Sequence, residues 1–227
     1  MRSRTHRYEG SRWLMQCAIG WVLLALMAFG ATAQPAAQAK SPAAAPRTIL
    51  VMGDSLSAAY GLSTAQGWVA LTGAQLARSH PDWRIVNASI SGETTAGGVA
   101  RIDAELKRHR PAVVVIALGA NDGLRGLPLK QTRTQLDRMI AAAQASGARV
   151  LLVGMRIPPN YGPDYTRDFE DNFRTLAAER KVALLPFLLE PVALERASFQ
   201  PDNLHPTAAT QPKIRDHVWK ALAPLLK

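Results

Sequence analysis

Residues 112–118, AVVVIAL, carry no polar side chain on either face. A strand sends successive side chains to opposite faces, so a run that is apolar throughout belongs to a strand covered by helices on both sides. Shorter apolar runs at 48–52, 84–88, 149–153 and 182–186 repeat the signal. Between them lie stretches of helical period at 65–78, 95–109, 130–145 and 165–181, with a last one at 207–222. Gly147 follows the third of these as a helix C-cap does. Five strands with intervening helices predict an α/β fold built on an open parallel sheet with right-handed crossovers. In such a sheet ligands gather beyond the carboxyl ends of the strands.

The N-terminal part has another character. Arg2, Arg4, Arg7 and Arg12 precede an uncharged run from Trp13 to Phe29, which leads to Ala31-Thr32-Ala33, an A-x-A cleavage signature. Residues 1–33 therefore read as an export signal with the mature chain starting at Gln34, and the expected location is periplasmic or secreted. The length of the run leaves an uncleaved anchor as the alternative. Residues 34–47 are rich in Ala and Pro without an amphipathic period and read as a flexible leader. Residues 48–227 then make one domain, large enough for its own core. No stable membrane insertion is expected of it once the signal is cleaved, and nothing in it requires more than a monomer.

The lone cysteine, Cys17, leaves with the signal, so neither a disulfide nor a thiol nucleophile is expected in the mature protein. Four arginines and one glutamate leave too, which takes the formal charge from +10 to +7. That surplus reads as solvated helix faces, with Lys107-Arg108-His109-Arg110 at a helix end. Aromatic and basic residues are not interleaved, and no nucleic-acid partner is expected.

Polar clusters follow three of the strands: GDSLS at 53–57, NASISGET at 87–94 and GANDG at 119–123. Near the C-terminus, DNLHP at 202–206 precedes the last helical stretch. A serine hydroxyl becomes a nucleophile when a base takes its proton, and imidazole suits that task near neutral pH. Ser55 is the candidate nucleophile and His205 its base. Asp202, three residues from His205 in a turn, can hold the ring in one tautomer. His6 lies in the signal, His80 and His109 at helix ends away from this edge, and His217 inside the last helix. Donors for an oxyanion are available from the Ser55 N–H, the Gly92 N–H, which a side chain does not obstruct, and the Asn121 amide. Asp54, Glu93 and Asp122 are read as structural carboxylates that satisfy loop and helix N-terminal N–H groups.

GDSLS, the Ser91-Gly92 pair, GAND and DNLHP, in this order, resemble the four blocks of the SGNH, or GDSL, hydrolase superfamily. VNASISGET, NDGLRGL, RIPPNYG and LLPFLLE resemble its bacterial periplasmic branch of multifunctional thioesterases, lysophospholipases and arylesterases. The resemblance runs from Thr48 to Leu226. It implies a flavodoxin-like three-layer α/β/α sandwich, no metal and no organic cofactor. It also implies a triad of Ser55, Asp202 and His205 and an oxyanion hole of Ser55, Gly92 and Asn121. The expected substrates are small acyl esters or thioesters, lysophospholipids among them. Ala59 and Ala120 stand where close relatives often have glycine, so a positive φ at Ala120 would strain the Asn121 loop.

Leu124, Leu127, Ile157 and Pro158 are expected as apolar walls for an acyl group. Two other functions use the same residues. A metal-dependent phosphoesterase would take Asp54, Asn121, Asp122, Asp202 and His205 as ligands, although such centres usually draw on several histidines. A non-catalytic exported binding protein of the same fold is the other.

Overall fold

A computed structural model describes residues 45–227. The proposed signal and most of the leader lie outside the described residues. Five parallel strands, β1 (Arg47–Gly53), β2 (Trp83–Asn87), β3 (Val113–Ala117), β4 (Arg149–Val153) and β5 (Ala183–Leu185), form one sheet in the order β2-β1-β3-β4-β5. The chain turns outward from β1 to β2 and then returns to the other side for β3, so the order reverses between β1 and β3. Register keeps that edge flush, with Val51 opposite Asn87 and Gly53 opposite Ala117.

The helices are α1 (Trp68–Ser79), α2 (Thr95–His109), α3 (Ala120–Leu124), α4 (Leu129–Ala145), α5 (Pro163–Arg180) and α6 (Gln211–Leu222). Strand alternation divides the core in two. Ile49, Val51, Val113, Val115, Leu151 and Val153 face α1 and α6 through Trp68, Leu76, Ile214 and Val218. Their neighbours Leu50, Met52, Val114, Ile116 and Leu152 face α2, α4 and α5 through Ile102, Leu136, Ile140, Phe169 and Phe173. This is the expected three-layer α/β/α sandwich, and each of the five long helices stops within one residue of the end of its periodic stretch.

The departures are local. α1 starts at Trp68 because Thr64–Gln66 is a 3-10 turn, with the Ser63 N–H donating to Gln66 Oε1. The last helix starts at Gln211, four residues later than expected, because Ala208–Thr210 is a 3-10 turn. The short helix α3 was not expected, since Asn-Asp-Gly reads as a turn. It is entered through Gly119 at a φ of 116°, where a Cβ would come within 3.0 Å of Phe173.

Candidate active site

The loop after β1 is a tight turn organised by Asp54. Its carbonyl accepts the N–H groups of Ser57 and Ala58, and its Oδ1 accepts that of Leu56 at 3.0 Å. Gly53 is needed where the chain leaves the strand, because a Cβ there would lie 2.7 Å from Ser57 Oγ and 2.9 Å from Ser89 Oγ. This turn raises the Ser55 hydroxyl at the sheet edge.

The loop carrying His205 is closed by an antiparallel bridge between Phe199 and Pro206, and the Gln200 N–H donates to the His205 carbonyl at 2.8 Å. Asn203 takes a left-handed φ of 59°, which bends the chain so that Asp202 faces back on it. Asp202 Oδ1 accepts the N–H groups of Leu204 and His205, each at 3.0 Å. Its Oδ2 lies 2.7 Å from His205 Nδ1, and His205 Nε2 lies 2.8 Å from Ser55 Oγ. An imidazole held in this way can take the hydroxyl proton while the carboxylate fixes its tautomer.

Two carboxyls of the site are driven apart in acidity. Burial raises Asp54 to about 6, although the Leu56 N–H and His205 pull it down. Asp202 is lowered to about 2, first by the His205 and Leu204 N–H groups and then by the His205 ring. Asp202 therefore stays a carboxylate at neutral pH.

Asn121, in the first turn of α3, donates from Nδ2 to the Glu93 carbonyl at 3.0 Å and makes a longer contact of 3.4 Å with Asp54 Oδ2. One N–H is thus anchored, which fixes the plane of the amide, and the other is only weakly held and so is available as a donor to a developing oxyanion. Gly92 lies beside it at a φ of 79°, with Arg125 donating to its carbonyl at 3.1 Å. A Cβ at Gly92 would meet only the end of Arg125, at 3.8 Å. The φ of 79° is itself a reason for glycine at this position.

Glu93 and Asp122 make structural contacts. Glu93 pairs with Arg101, and Asp122, in the first turn of α3, caps α2 by accepting the Thr95 N–H at 2.9 Å and the Thr95 hydroxyl at 2.5 Å. Ala120 does not take the positive φ that would have strained it. The positive φ is carried by Gly119, and it is Ala59 that is forced to 60°.

Ser55, Gly92, Asn121 and His205 line one cleft of about 880 Å³. Leu124, Ile157 and Pro158 line it too, but Leu127 does not; its carbonyl accepts the Tyr165 hydroxyl. The cleft extends over Phe187, Leu189 and Phe199, from the segment after β5, which the sequence reading passed over. The signal available was LLPFLLE, an apolar run continuing past a short strand. Tyr60 was also passed over, and its ring centroid lies 4.4 Å from that of His205. Among the described residues no three of His, Cys, Asp and Glu are grouped so as to hold a metal ion.

This fold and edge define a hydrolase of the SGNH class. Residues 51–211 match the model of the GDSL-like Lipase/Acylhydrolase family, and the chain belongs to that family. It is 51% identical over 183 residues to esterase TesA of Pseudomonas aeruginosa, covering 81% of this chain and 91% of that one. A crystal structure of TesA superposes with a TM-score of 0.77 at 51% identity, covering 79% of this chain and 99% of the other. Thioesterase 1/protease 1/lysophospholipase L1 of Escherichia coli K12 is 42% identical over 188 residues, covering 81% and 87%. The psychrotrophic esterase EstA from Pseudoalteromonas sp., solved in a form inhibited by monoethylphosphonate, superposes with a TM-score of 0.76 at 41% identity, covering 79% and 98%.

Proposed function

We propose that this esterase is an exported serine hydrolase of acyl esters and thioesters that works through an acyl-enzyme on Ser55. The observation that carries the reading is the hydrogen-bonded line from Ser55 Oγ through His205 to Asp202, with contacts of 2.8 and 2.7 Å. As Oγ attacks the acyl carbonyl, His205 Nε2 takes its proton and Asp202 stabilises the imidazolium. The oxyanion is received by the N–H groups of Ser55 and Gly92 and by Asn121 Nδ2. Collapse of the intermediate breaks the C–O or C–S bond, and the proton on Nε2 goes to the leaving group. A water then gives its proton to the same nitrogen and attacks the acyl-enzyme, and as the acid leaves that proton returns from Nε2 to Ser55 Oγ.

The apolar lining favours acyl groups, with Leu124, Ile157, Pro158, Phe187 and Leu189 as walls. Relatives named esterase and thioesterase/lysophospholipase support the same substrate classes, lysophospholipids included. EstA's inhibition by a phosphonate, tetrahedral at phosphorus like the intermediate of acyl transfer, supports the covalent route. Export rests on the N-terminal signature, and N-terminal sequencing of the protein from cell fractions should read from Gln34.

The test is a chain-length series of p-nitrophenyl esters and acyl thioesters, compared by kcat/KM for wild type and Ser55→Ala. All hydrolysis is expected to vanish in the variant and to persist in wild type with a chelator. Hydrolysis kept by Ser55→Ala and abolished by the chelator would support the metal-dependent alternative.

A further inference from the structure

Tyr60 is a large aromatic residue left 51% exposed at the mouth of a cleft, and its ring lies over the His205 imidazole with centroids 4.4 Å apart and planes inclined by 36°. Surface tyrosines need no explanation by themselves. The backbone that places this one does.

Ala59, on its N-terminal side, is buried and held at a φ of 60°, a left-handed conformation that is strained for a residue with a Cβ. Gly61, on the other side, is at a φ of 73°, and a Cβ there would lie 2.2 Å from Gln200 Oε1. Gln200 is close because it ties the two loops together. Its Nε2 donates to the Tyr60 carbonyl at 2.9 Å and to the Pro206 carbonyl at 3.1 Å, while its main-chain N–H donates to the His205 carbonyl. The Tyr60 N–H donates in turn to the Ser55 carbonyl at 3.2 Å. Left-handed backbone angles at Ala59 and Gly61 and a side-chain staple on the Tyr60 carbonyl act on three successive residues. Strain of this kind persists where the surroundings enforce it, and such places cluster at functional sites.

Resting on the serine-hydrolase reading above, we propose that Tyr60 is a positioning residue for His205: its ring keeps the imidazole in line with Ser55 Oγ and stabilises the imidazolium that forms during acyl transfer. Asp202 fixes one edge of the imidazole through Nδ1 but leaves the ring free to swing about that contact. A ring against one face removes that freedom. The face of an aromatic ring is also electron-rich, and a cation against it gains roughly 0.5–2 kcal/mol, depending on how dry the site is. His205 is neutral before proton transfer and cationic after it, so this gain is larger in the transition state than in the resting enzyme and enters kcat.

The comparison of Tyr60→Phe with Tyr60→Leu tests this, using kcat and KM on p-nitrophenyl acetate and the rate of inactivation by a fluorophosphonate. Phe keeps the π face and loses only the hydroxyl, so both rates are expected to stay within about twofold of wild type. Leu keeps apolar cover without the π face, and kcat and the inactivation rate are expected to fall together by roughly 3- to 30-fold, with KM changing less. Gln200→Leu, which cuts the staple and leaves the ring, is expected to lower kcat in the same direction. Wild-type kcat in Tyr60→Leu, or an equal loss in Phe and Leu, would overturn the proposal. Ser55→Ala run alongside separates this failure from the larger one: an active Ser55→Ala removes the serine reading itself, whereas an inactive Ser55→Ala beside a fully active Tyr60→Leu removes only the role of Tyr60.

Discussion

Asp202 meets His205 twice: Oδ1 accepts the His205 main-chain N–H at 3.0 Å while Oδ2 lies 2.7 Å from Nδ1 of the ring. The two contacts separate in Asp202→Asn. The amide oxygen can still accept the backbone N–H groups, so the loop should fold, with the melting temperature lowered by the loss of the carboxylate's contribution. The amide nitrogen, however, sets a donor against Nδ1 and favours the tautomer that cannot take a proton from Ser55. A fall in kcat of up to about ten-thousandfold is expected. Wild-type turnover in a folded Asp202→Asn would contradict the role given to Asp202.

Asp54 should leave a mark on the pH dependence of stability. Its carboxyl is raised to about 6 in the folded protein, from 3.8 when free. The folded state therefore binds the proton more tightly, and this residue's contribution falls as pH rises from about 4 to about 6, then levels off. The loss is on the order of 2–3 kcal/mol. Asn at this position can still accept the Leu56 N–H and does not ionise. Urea unfolding of wild type and Asp54→Asn should show a stability difference that shifts in favour of the variant between pH 4 and 7. A constant difference over that range would mean that Asp54 is not held protonated by burial. Asp202 has the opposite sign: lowered to about 2, its contribution is present above the ordinary carboxylate range and is lost only as pH falls through about 4 to 2.

Gly92→Ala tests the oxyanion hole with little steric disturbance, since the space beside Gly92 is open. The alanine is instead penalised by the φ of 79°, about 1–2 kcal/mol, and relief of that strain turns the peptide. If the Gly92 N–H receives the oxyanion, kcat should fall by roughly 100- to 1000-fold with a modest change in melting temperature. Unchanged kcat would remove Gly92 from the hole.

Ala59 and Gly67 should exchange sizes. A Cβ at Gly67 would lie 2.7 Å from Ala59 Cβ, although its own φ of −69° suits alanine. Gly67→Ala is therefore expected to destabilise by roughly 1–3 kcal/mol. Ala59→Gly relieves a left-handed alanine but frees the unfolded chain, and should lie within about 1 kcal/mol of wild type. In the double variant the nearest atoms to the new Cβ are 3.6 Å away, so most of the loss should be recovered. Additive effects in thermal unfolding would show that this contact is not the source of the strain.

The sheet could be read from the chain because its central strands β1, β3 and β4 are apolar on both faces over most of their length, and α2 could be read from Thr95 to His109 because its period runs unbroken between them. The 3-10 turns at 64–66 and 208–210 were not legible, since Ala, Thr and Gln continue a helical pattern as readily as they start one. Ser55, Asp202 and His205 stood out as a set rather than singly: Ser55 follows the first strand at the edge where ligands gather, and the one suitably placed histidine has a carboxylate three residues away. Tyr60 did not, because its position depends on a left-handed Ala59, which no glycine or asparagine announces. Phe187, Leu189 and Phe199 reach the cleft only once the chain after β5 has folded across the sheet edge, a tertiary outcome without a periodic signature. Leu127 shows the reverse, an apolar loop residue placed near the site by sequence and kept off the cleft wall by the course of the loop.

The nucleophile itself is open to one direct measurement. Wild-type protein and Ser55→Ala are treated with a fluorophosphonate, and the intact masses and peptide maps are recorded. A single phosphonyl adduct on Ser55 that appears in step with loss of esterase activity, and is absent from Ser55→Ala, is the expected result. An adduct on another residue, or full activity in wild type after complete modification of Ser55, would contradict the assignment of Ser55.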